Sequence, residues 1–252
     1  MIGRFATTFV DLVFPHKCLL CSGGLEPNAE SFCLSCVEEV DRERREPACP
    51  TCAGAVAPYE VSNGRCSECR RHPTRLQGTV RVGPYGRALG QLLRAYKFHG
   101  RAEMEPVLGR WLAQVVQRAD WFARIEAVVS VPTHWKHRLT RPLYAAEVLA
   151  SIVAKRTGLP HPPILRRVRA GPHQIGLGYT ARAQNVRGAF AMRKGVVLRA
   201  ARLLLIDDVK TTGATLDECT KVLRKGGAAE VYGAVVVKVG KARADARAVT
   251  MI

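Results

Sequence analysis

Residues 203–215 constrain the fold of this chain more than any other segment, and they read Leu-Leu-Leu-Ile-Asp-Asp-Val-Lys-Thr-Thr-Gly-Ala-Thr. The four apolar residues predict a buried strand, and ligands of parallel α/β sheets bind at the carboxyl ends of the strands. The carboxylates of Asp207 and Asp208 stand at that end, where they can accept hydrogen bonds from two ribose hydroxyls. Small and hydroxyl-bearing residues follow, and they lead into a predicted helix whose amino end favours an anion. The segment therefore predicts an α/β fold with a parallel sheet and a site for a phosphorylated sugar.

The same segment resembles the 5-phosphoribosyl 1-pyrophosphate (PRPP) loop of type I phosphoribosyltransferases. The resemblance implies that Asp207 and Asp208 are the catalytic acids, which orient the ribose and help to retain Mg²⁺. Residues 211–215, here called the phosphate loop, would anchor the 5-phosphate. The predicted PRPP-binding residues of this segment are Val209, Lys210, Thr211, Thr212, Gly213, Ala214 and Thr215. An acidic turn and a Thr/Gly helix cap also occur in doubly wound proteins that bind no ligand, but the complete run in register is a specific pattern.

The length and hydrophobic content fit a globular protein. The chain has 252 residues, 47% of them hydrophobic, which suits one large domain or a moderate domain with a small one. Residues 1–13 form a short apolar stretch interrupted by Arg4 and Asp11, without a small-residue cleavage site. No run approaches the roughly 20 apolar residues of a membrane span. We therefore expect no membrane insertion and a cytoplasmic location.

The net charge of +18 is concentrated in the later part of the chain. Residues 1–78 carry 9 Lys and Arg against 10 Asp and Glu, which leaves 30 basic and 11 acidic residues for positions 79–252. A basic field of this kind suits PRPP, pyrophosphate or a nucleic-acid backbone. A solvated basic surface is the alternative interpretation.

Eight of the nine cysteines form four C-x-x-C pairs, which predict two zinc sites. Each pair presents two thiolates to one ion, and two pairs complete the tetrahedral coordination that structural Zn²⁺ prefers. Disulfides are the competing interpretation, but they do not suit a chain in a reducing compartment. The predicted ligands are Cys18, Cys21, Cys33, Cys36, Cys49, Cys52, Cys66 and Cys69.

Four pairs can combine into two sites in three ways. We favour neighbouring pairs, which give two consecutive zinc ribbons in a domain of residues 1–76, although a cross-brace arrangement is also open. This domain has few large apolar residues, so we expect zinc to supply much of its folding free energy. Its first expected role is structural or protein docking, and its second is DNA contact. Residues 77–252 form the predicted phosphoribosyltransferase-like domain.

Basic residues recur at three places in the larger domain, and each is a candidate for pyrophosphate binding. Lys97 lies at the end of a predicted amphipathic helix, where simple helix capping is the alternative. Pro132 and Thr133 follow a predicted buried strand and begin a basic loop that contains Arg138. Arg182 lies in residues 164–190, a cationic, glycine-containing stretch expected to form a mobile lid.

Taken together, these features resemble the ComF family, and the resemblance covers essentially the whole chain. It is carried by the four C-x-x-C pairs, the PRPP loop, Tyr85 with Leu93-Arg94-Ala95-Tyr96-Lys97-Phe98-His99-Gly100, Val129-Ser130-Val131-Pro132, and Gln174-x-x-Leu177 to Arg182-x-x-Asn185-Val186-x-Gly188-Ala189-Phe190. The family resemblance implies a type I phosphoribosyltransferase fold and a role in handling single-stranded DNA during natural competence. The chain departs from the family pattern at Arg141-Pro142-Leu143-Tyr144-Ala145, where an Asn-Gln amide pair of the family is missing.

The resemblance allows more than one function. An enzyme would transfer phosphoribose from PRPP with Mg²⁺. If the amides missing at residues 141–145 contact substrate in relatives, this chain either binds substrate differently or is not catalytic. A non-catalytic protein would instead bind single-stranded DNA and DNA-uptake proteins, or would sense PRPP without turnover. Aromatic residues for base stacking make up only 6% of the chain, which favours PRPP or another phosphorylated ribose as the ligand.

Overall fold

A computed structural model describes residues 17–26, 29–57, 59–98, 100–133, 145–169 and 184–240. Two 3₁₀ turns, Ala102–Met104 and Phe122–Arg124, connect longer elements. The strands are β1 (Thr79–Pro84), β2 (Ala127–Ser130), β3 (Leu165–Arg167), β4 (Phe190–Met192), β5 (Arg202–Lys210) and β6 (Glu230–Lys238). The α-helices are α1 (Leu34–Arg44), α2 (Ser67–Arg71), α3 (Arg87–Phe98), α4 (Glu105–Gln117), α5 (Ala145–Thr157) and α6 (Ala214–Lys225).

The centre of the molecule is a four-stranded parallel sheet in the order β1-β6-β5-β2. Side chains of β5 alternate between its two faces, as the period of a strand requires. Leu204 and Ile206 pack into the core under α3, α4 and α5, whereas Leu203 and Leu205 pack toward α6 and the β3-β4 pair. Both faces are covered, which explains why the strand reads as a continuous apolar run. The predicted fold class, a parallel sheet flanked by helices, is confirmed.

The predicted helical stripe of α3 is buried in the core. Leu89, Leu92, Leu93 and Tyr96 are each at most 1% exposed. Two tryptophans also make ring contacts: Trp111 stacks on Phe32 and Trp121 stacks on Tyr232. Within the described part of the chain, no helix combines the length and apolar character that a membrane crossing needs.

The cysteine-rich region shares a core with the larger domain. Leu20, Phe32 and Val40 belong to the same apolar cluster as the residues of α3 and α4. The guanidinium of Arg44 lies 4.8 Å from the ring centroid of Trp111 and donates to Gln114 Oε1 at 3.0 Å. The first ribbon therefore packs directly on the helices beside the sheet. The domain boundary at residues 76 and 77 stays a prediction.

The stretch of residues 164–190 begins and ends in short strands that the sequence analysis did not predict. β3 pairs with β4 in an antiparallel manner, from Leu165 opposite Met192 to Arg167 opposite Phe190. Three-residue strands are too short to show a period, so the sequence pattern could not reveal them. The predicted lid residues 170–183, which include Arg182, lie outside the described residues.

Candidate functional site

An acidic pair lies near the carboxyl end of β5, beside a lysine from α3. The strand continues past the acids, since Asp207 pairs with Val235 in β6 and the ladder extends to Lys210. Lys97 Nζ lies 2.7 Å from Asp208 Oδ2, and their side chains are 25% and 14% exposed. The Asp208 amide donates to Asp207 Oδ1 at 2.9 Å. Lys97, predicted as a pyrophosphate contact, is thus paired with one of the two acids predicted to bind the ribose.

The two carboxyls differ in their surroundings. Burial and the nearby Asp208 carboxylate together raise the pKa of Asp207 to about 8, while Lys97 opposes both effects. Asp207 is therefore protonated at neutral pH, which makes its carboxyl able to donate one hydrogen bond as well as accept. Asp208 keeps a direct ammonium partner. Adjacent acids with different environments are suited to different tasks at one ligand.

The helix that carries Lys97 is held at its amino end by the cysteine-rich region. Glu43 of α1 accepts hydrogen bonds from the backbone amides of Ala88 and Leu89, both at 2.9 Å. A carboxylate at this position satisfies free amides and complements the helix dipole. The Glu43 carboxylate also lies so close to Gly86 that a Cβ there would overlap it. A residue of the first ribbon thus fixes the start of α3.

The phosphate loop leads into α6 through a glycine with left-handed backbone. Gly213 has φ of +90° and stands immediately before the helix, a conformation that residues with a Cβ rarely adopt. The Ala214 amide donates to Thr212 Oγ1 at 3.3 Å. Gly213 has no side chain to cap α6, so the open amides of the first turn form a suitable site for an anion. Thr211, Thr212 and Thr215 are partly exposed beside this turn.

Two lysines lie beneath the phosphate loop. Lys238 Nζ donates to the carbonyl oxygens of Thr211 and Val239 at 2.7 and 2.5 Å. Lys210 is only 3% exposed, and its ammonium donates to Thr79 Oγ1 at 3.3 Å. Burial lowers the pKa of both lysines. The Lys210 side chain, predicted to contact PRPP, points below the loop and away from its exposed face.

The remaining predicted PRPP-binding residues lie in different parts of the structure. Val209 is partly buried near the end of β5, and Pro132 and Thr133 follow β2, the neighbour of β5, after one intervening residue. These positions share the carboxyl edge of the sheet with the acids. Arg138 and Arg182 lie outside the described residues, so their role stays a prediction.

Arg167 of β3 is a cation near the acids that the sequence analysis did not select for the site. Burial lowers its pKa, while Cys219 and Asp207 act in the opposite direction through their charge. Its guanidinium lies 5.5 Å from the centroid of the Phe190 ring. The only sequence signal was its place in the basic stretch of residues 164–190. Cys219 itself is completely buried in the core.

The eight paired cysteines form two clusters of four. The first cluster consists of Cys18, Cys21, Cys33 and Cys36, and the second of Cys49, Cys52, Cys66 and Cys69. The favoured pairing of neighbouring knuckles is therefore confirmed. Individual Sγ–Sγ distances within the clusters run from 3.6 to 3.8 Å. A tetrahedron with metal–sulfur bonds of about 2.3 Å has edges of about 3.8 Å, so both clusters fit Zn²⁺.

The two clusters are built by the same local motif. Cys18 and Cys49 each donate their amide to a glycine carbonyl five residues later, Gly23 and Gly54, at 2.8 Å. Those glycine amides point back to the second cysteine of the knuckle, with N–Sγ distances of 3.4 Å. The other knuckle of each cluster opens a helix, since α1 and α2 directly follow Cys33 and Cys66. The ribbons are thus structural repeats.

Comparison with known proteins agrees with this architecture. A double zinc ribbon domain family matches residues 9–75. The DNA utilization protein YhgH of Salmonella typhimurium is 30% identical over 224 residues, which cover 87% of this chain and 96% of that protein. Competence protein F of Haemophilus influenzae is 27% identical over 223 residues, with 86% and 95% covered. The chain belongs to the ComF family.

Solved structures similar to this ComF-family chain include a phosphoribosyl-pyrophosphate enzyme. The glutamine PRPP amidotransferase of B. subtilis shares 25% identity and a TM-score of 0.35, over 52% of this chain and 25% of that one. The fold itself is read from the parallel sheet, its flanking helices and the two ribbons. The predicted zinc ribbons ahead of a parallel sheet flanked by helices are therefore confirmed as the architecture of this ComF-family chain.

Proposed function

We propose that this ComF-family chain binds PRPP, or another phosphorylated ribose, together with Mg²⁺ at the carboxyl end of β5. The observation that carries the proposal is the placement of two unlike acids and an open helix amino end on one strand-loop-helix unit. Carboxyls suit vicinal hydroxyls, and helix amides suit a phosphate. A ribose with a 5-phosphate has both groups on one molecule, which matches the order of these elements.

Each part of the site has a distinct task in this proposal. Asp207 and Asp208 bind the ribose hydroxyls, and the Asp208 carboxylate would also help to hold Mg²⁺, which supplies charge neutralisation for a pyrophosphate. The amides and hydroxyls of the phosphate loop bind the 5-phosphate. Lys97 neutralises Asp208 in the free protein. When a ligand occupies the site, its ammonium is free to turn toward the added negative charge.

The chemistry that follows is phosphoribosyl transfer from PRPP to an acceptor. The bond between C1 of the ribose and the pyrophosphate oxygen breaks, and its electron pair leaves with pyrophosphate. A lone pair of the acceptor then forms the new bond to C1. Positive charge develops on the ribose ring during this step, and the acid pair lies where it can stabilise that charge. Lys97, Arg138 and Arg182 are the proposed contacts of the departing pyrophosphate.

Calorimetric titration of PRPP tests the ligand. We expect micromolar binding to the zinc-loaded protein in the presence of Mg²⁺, weakened at least about tenfold without Mg²⁺. The variant Asp207→Asn/Asp208→Asn should lose binding, and Asp120→Asn, at an exposed position, is the matched control. Equal affinity in the wild type and the double variant would rule out the acid pair as the ribose site.

A second candidate function is binding of single-stranded DNA and contact with DNA-uptake proteins. The relatives named DNA utilization protein and Competence protein F favour it, as does the basic balance of residues 79–252. Binding to phosphates would weaken steeply as salt is raised and would need neither PRPP nor Mg²⁺. Fluorescence anisotropy of a labelled oligonucleotide at several salt concentrations, with and without PRPP, distinguishes this function from the first.

A further inference from the structure

The second cysteine cluster is docked on the first residue of β1. The amide of Thr79 donates to the carbonyl of Pro50 at 2.9 Å, and its hydroxyl donates to the carbonyl of Thr51, also at 2.9 Å. Pro50 and Thr51 are the two residues between the cluster ligands Cys49 and Cys52. One zinc knuckle is therefore hydrogen-bonded to the edge of the sheet.

Lys210 connects this knuckle to the phosphate loop. Its aliphatic chain runs under Gly213, where a Cβ would come within 2.9 Å of Lys210 Cε. Its ammonium then reaches Thr79 Oγ1, the same hydroxyl that donates to Thr51. The side chain thus spans from the loop to the second cluster, with one threonine hydroxyl between the ammonium and the knuckle backbone.

Basic side chains interact electrostatically with the second cluster. Burial lowers the pKa of Lys210, and the charges of Cys52, Asp217, Cys69 and Cys49 oppose this effect. The charge of Cys52 likewise opposes the lowering of the pKa of Arg81 and Lys238 by burial. Arg81 is 6% exposed, and its Nε and Nη1 atoms have no hydrogen-bond partner within the described residues. Four thiolates around one Zn²⁺ leave a net negative charge, which these cations offset.

We propose that Lys210 is a positioning residue that ties the phosphate loop to the second zinc cluster through charge and through Thr79. Only the phosphate-binding role of the loop rests on the proposed function. The link between Lys210 and the second zinc cluster does not, because both belong to this chain and need no ligand. Zinc in the ribbon domain thereby stabilises the loop conformation of the larger domain.

Zinc release to a chromophoric chelator tests the tie without any sugar ligand. We expect the Lys210→Met variant to release one of its two zinc equivalents about tenfold faster than the wild type, because loss of a partner outside the ligand shell generally weakens metal binding about tenfold or more. The other equivalent should leave at the wild-type rate. Lys210→Arg restores the charge and should return the rate toward that of the wild type. Lys225→Met, at an exposed end of α6, is the control and should change neither rate.

Two outcomes would overturn the proposal. Lys210→Met could release both zinc equivalents at the wild-type rate, or it could release both faster by the same factor. Should Lys210→Met fail to fold, Thr79→Val decides, since it removes the connecting hydroxyl from a buried position with little change in shape. It should accelerate the same single equivalent, and unchanged rates would contradict the tie.

Hydrogen exchange gives the readout at the loop. Amides of residues 211–216 should exchange faster in Lys210→Met than in Lys225→Met, and unchanged exchange would contradict the positioning role. Both readouts are made without PRPP. A chain that shows the tie but binds no PRPP would therefore refute the proposed function and leave this inference standing.

Discussion

At the scale of single residues, the site depends on unlike environments for chemically similar groups. Asp207 and Asp208 are adjacent, yet one is raised in pKa by burial and the other is paired with Lys97. The sequence could place both acids directly after an apolar strand segment because apolar runs are local patterns, but it could not show that β5 continues past them to Lys210. It could not reveal that Lys97 meets Asp208, or that Lys210 turns below its own loop, because both contacts depend on tertiary packing.

The raised pKa of Asp207 predicts that the stability of Asp207→Asn relative to the wild type grows with pH. An unfolded Asp ionises near about pH 4, whereas the folded carboxyl stays protonated up to about pH 8. Between these values the unfolded state binds fewer protons, so the free energy of unfolding of the wild type falls as pH rises. The Asp207→Asn variant has no titrating carboxyl at this position, so its free energy of unfolding lacks this fall with pH.

Urea unfolding at pH 6 and pH 7.5 measures this difference. The free energy of unfolding of Asp207→Asn relative to the wild type should increase by about 2 kcal/mol between the two pH values. Asp120→Asn serves as the control. Parallel pH dependence in wild type and Asp207→Asn would show that the carboxyl is ionised in the folded protein throughout.

At the scale of elements, the start of a helix and the start of a strand are each fixed by the cysteine-rich region. Glu43 of α1 caps α3, and Thr79 at the first position of β1 bonds to a zinc knuckle. The amphipathic helix α3 and the apolar strand β5 were predictable from the hydrophobic periodicity and from the apolar run of residues 203–206. The cap was not, because a cap supplied by a distant helix leaves no pattern beside Ala88 and Leu89.

Removal of the cap should destabilise α3. Glu43→Ala deprives two backbone amides of their acceptor and should lower the free energy of unfolding by about 1–2 kcal/mol. Glu38→Ala, at an exposed position of the same helix, is the matched control for helix propensity. Equal stability of the two variants in urea unfolding would mean that the cap contributes nothing measurable.

In the molecule as a whole, the cysteine-rich region packs against the larger domain. Leu20, Phe32 and Val40 share a core with α3 and α4, and Asp217 of α6 accepts hydrogen bonds from Thr74 and Arg75 at 2.6 and 2.9 Å. The repeated C-x-x-C pairs revealed two zinc sites from sequence alone. Only the structure shows that the ribbons pack on the larger domain, because the sequence is equally consistent with Phe32 and Val40 in a small separate core.

Zinc removal should therefore destabilise the entire chain. We expect a strong chelator to lower the melting temperature of the main thermal transition by at least about 5 °C, because Cys18 and Cys36 of the first cluster belong to the common core. Restoring zinc should recover the transition. A separate low-temperature transition for the ribbons, with the main transition unchanged, would contradict a shared core.

Hydrogen exchange with and without PRPP and Mg²⁺ is the decisive experiment for a phosphorylated sugar at this site, because it locates the ligand. We expect amides of residues 211–215 to exchange more slowly when PRPP and Mg²⁺ are present, whereas ribose, which has no phosphate, should leave them unchanged. Protection confined to another part of the chain, or equal exchange under all three conditions, would contradict a phosphorylated sugar at the carboxyl end of β5.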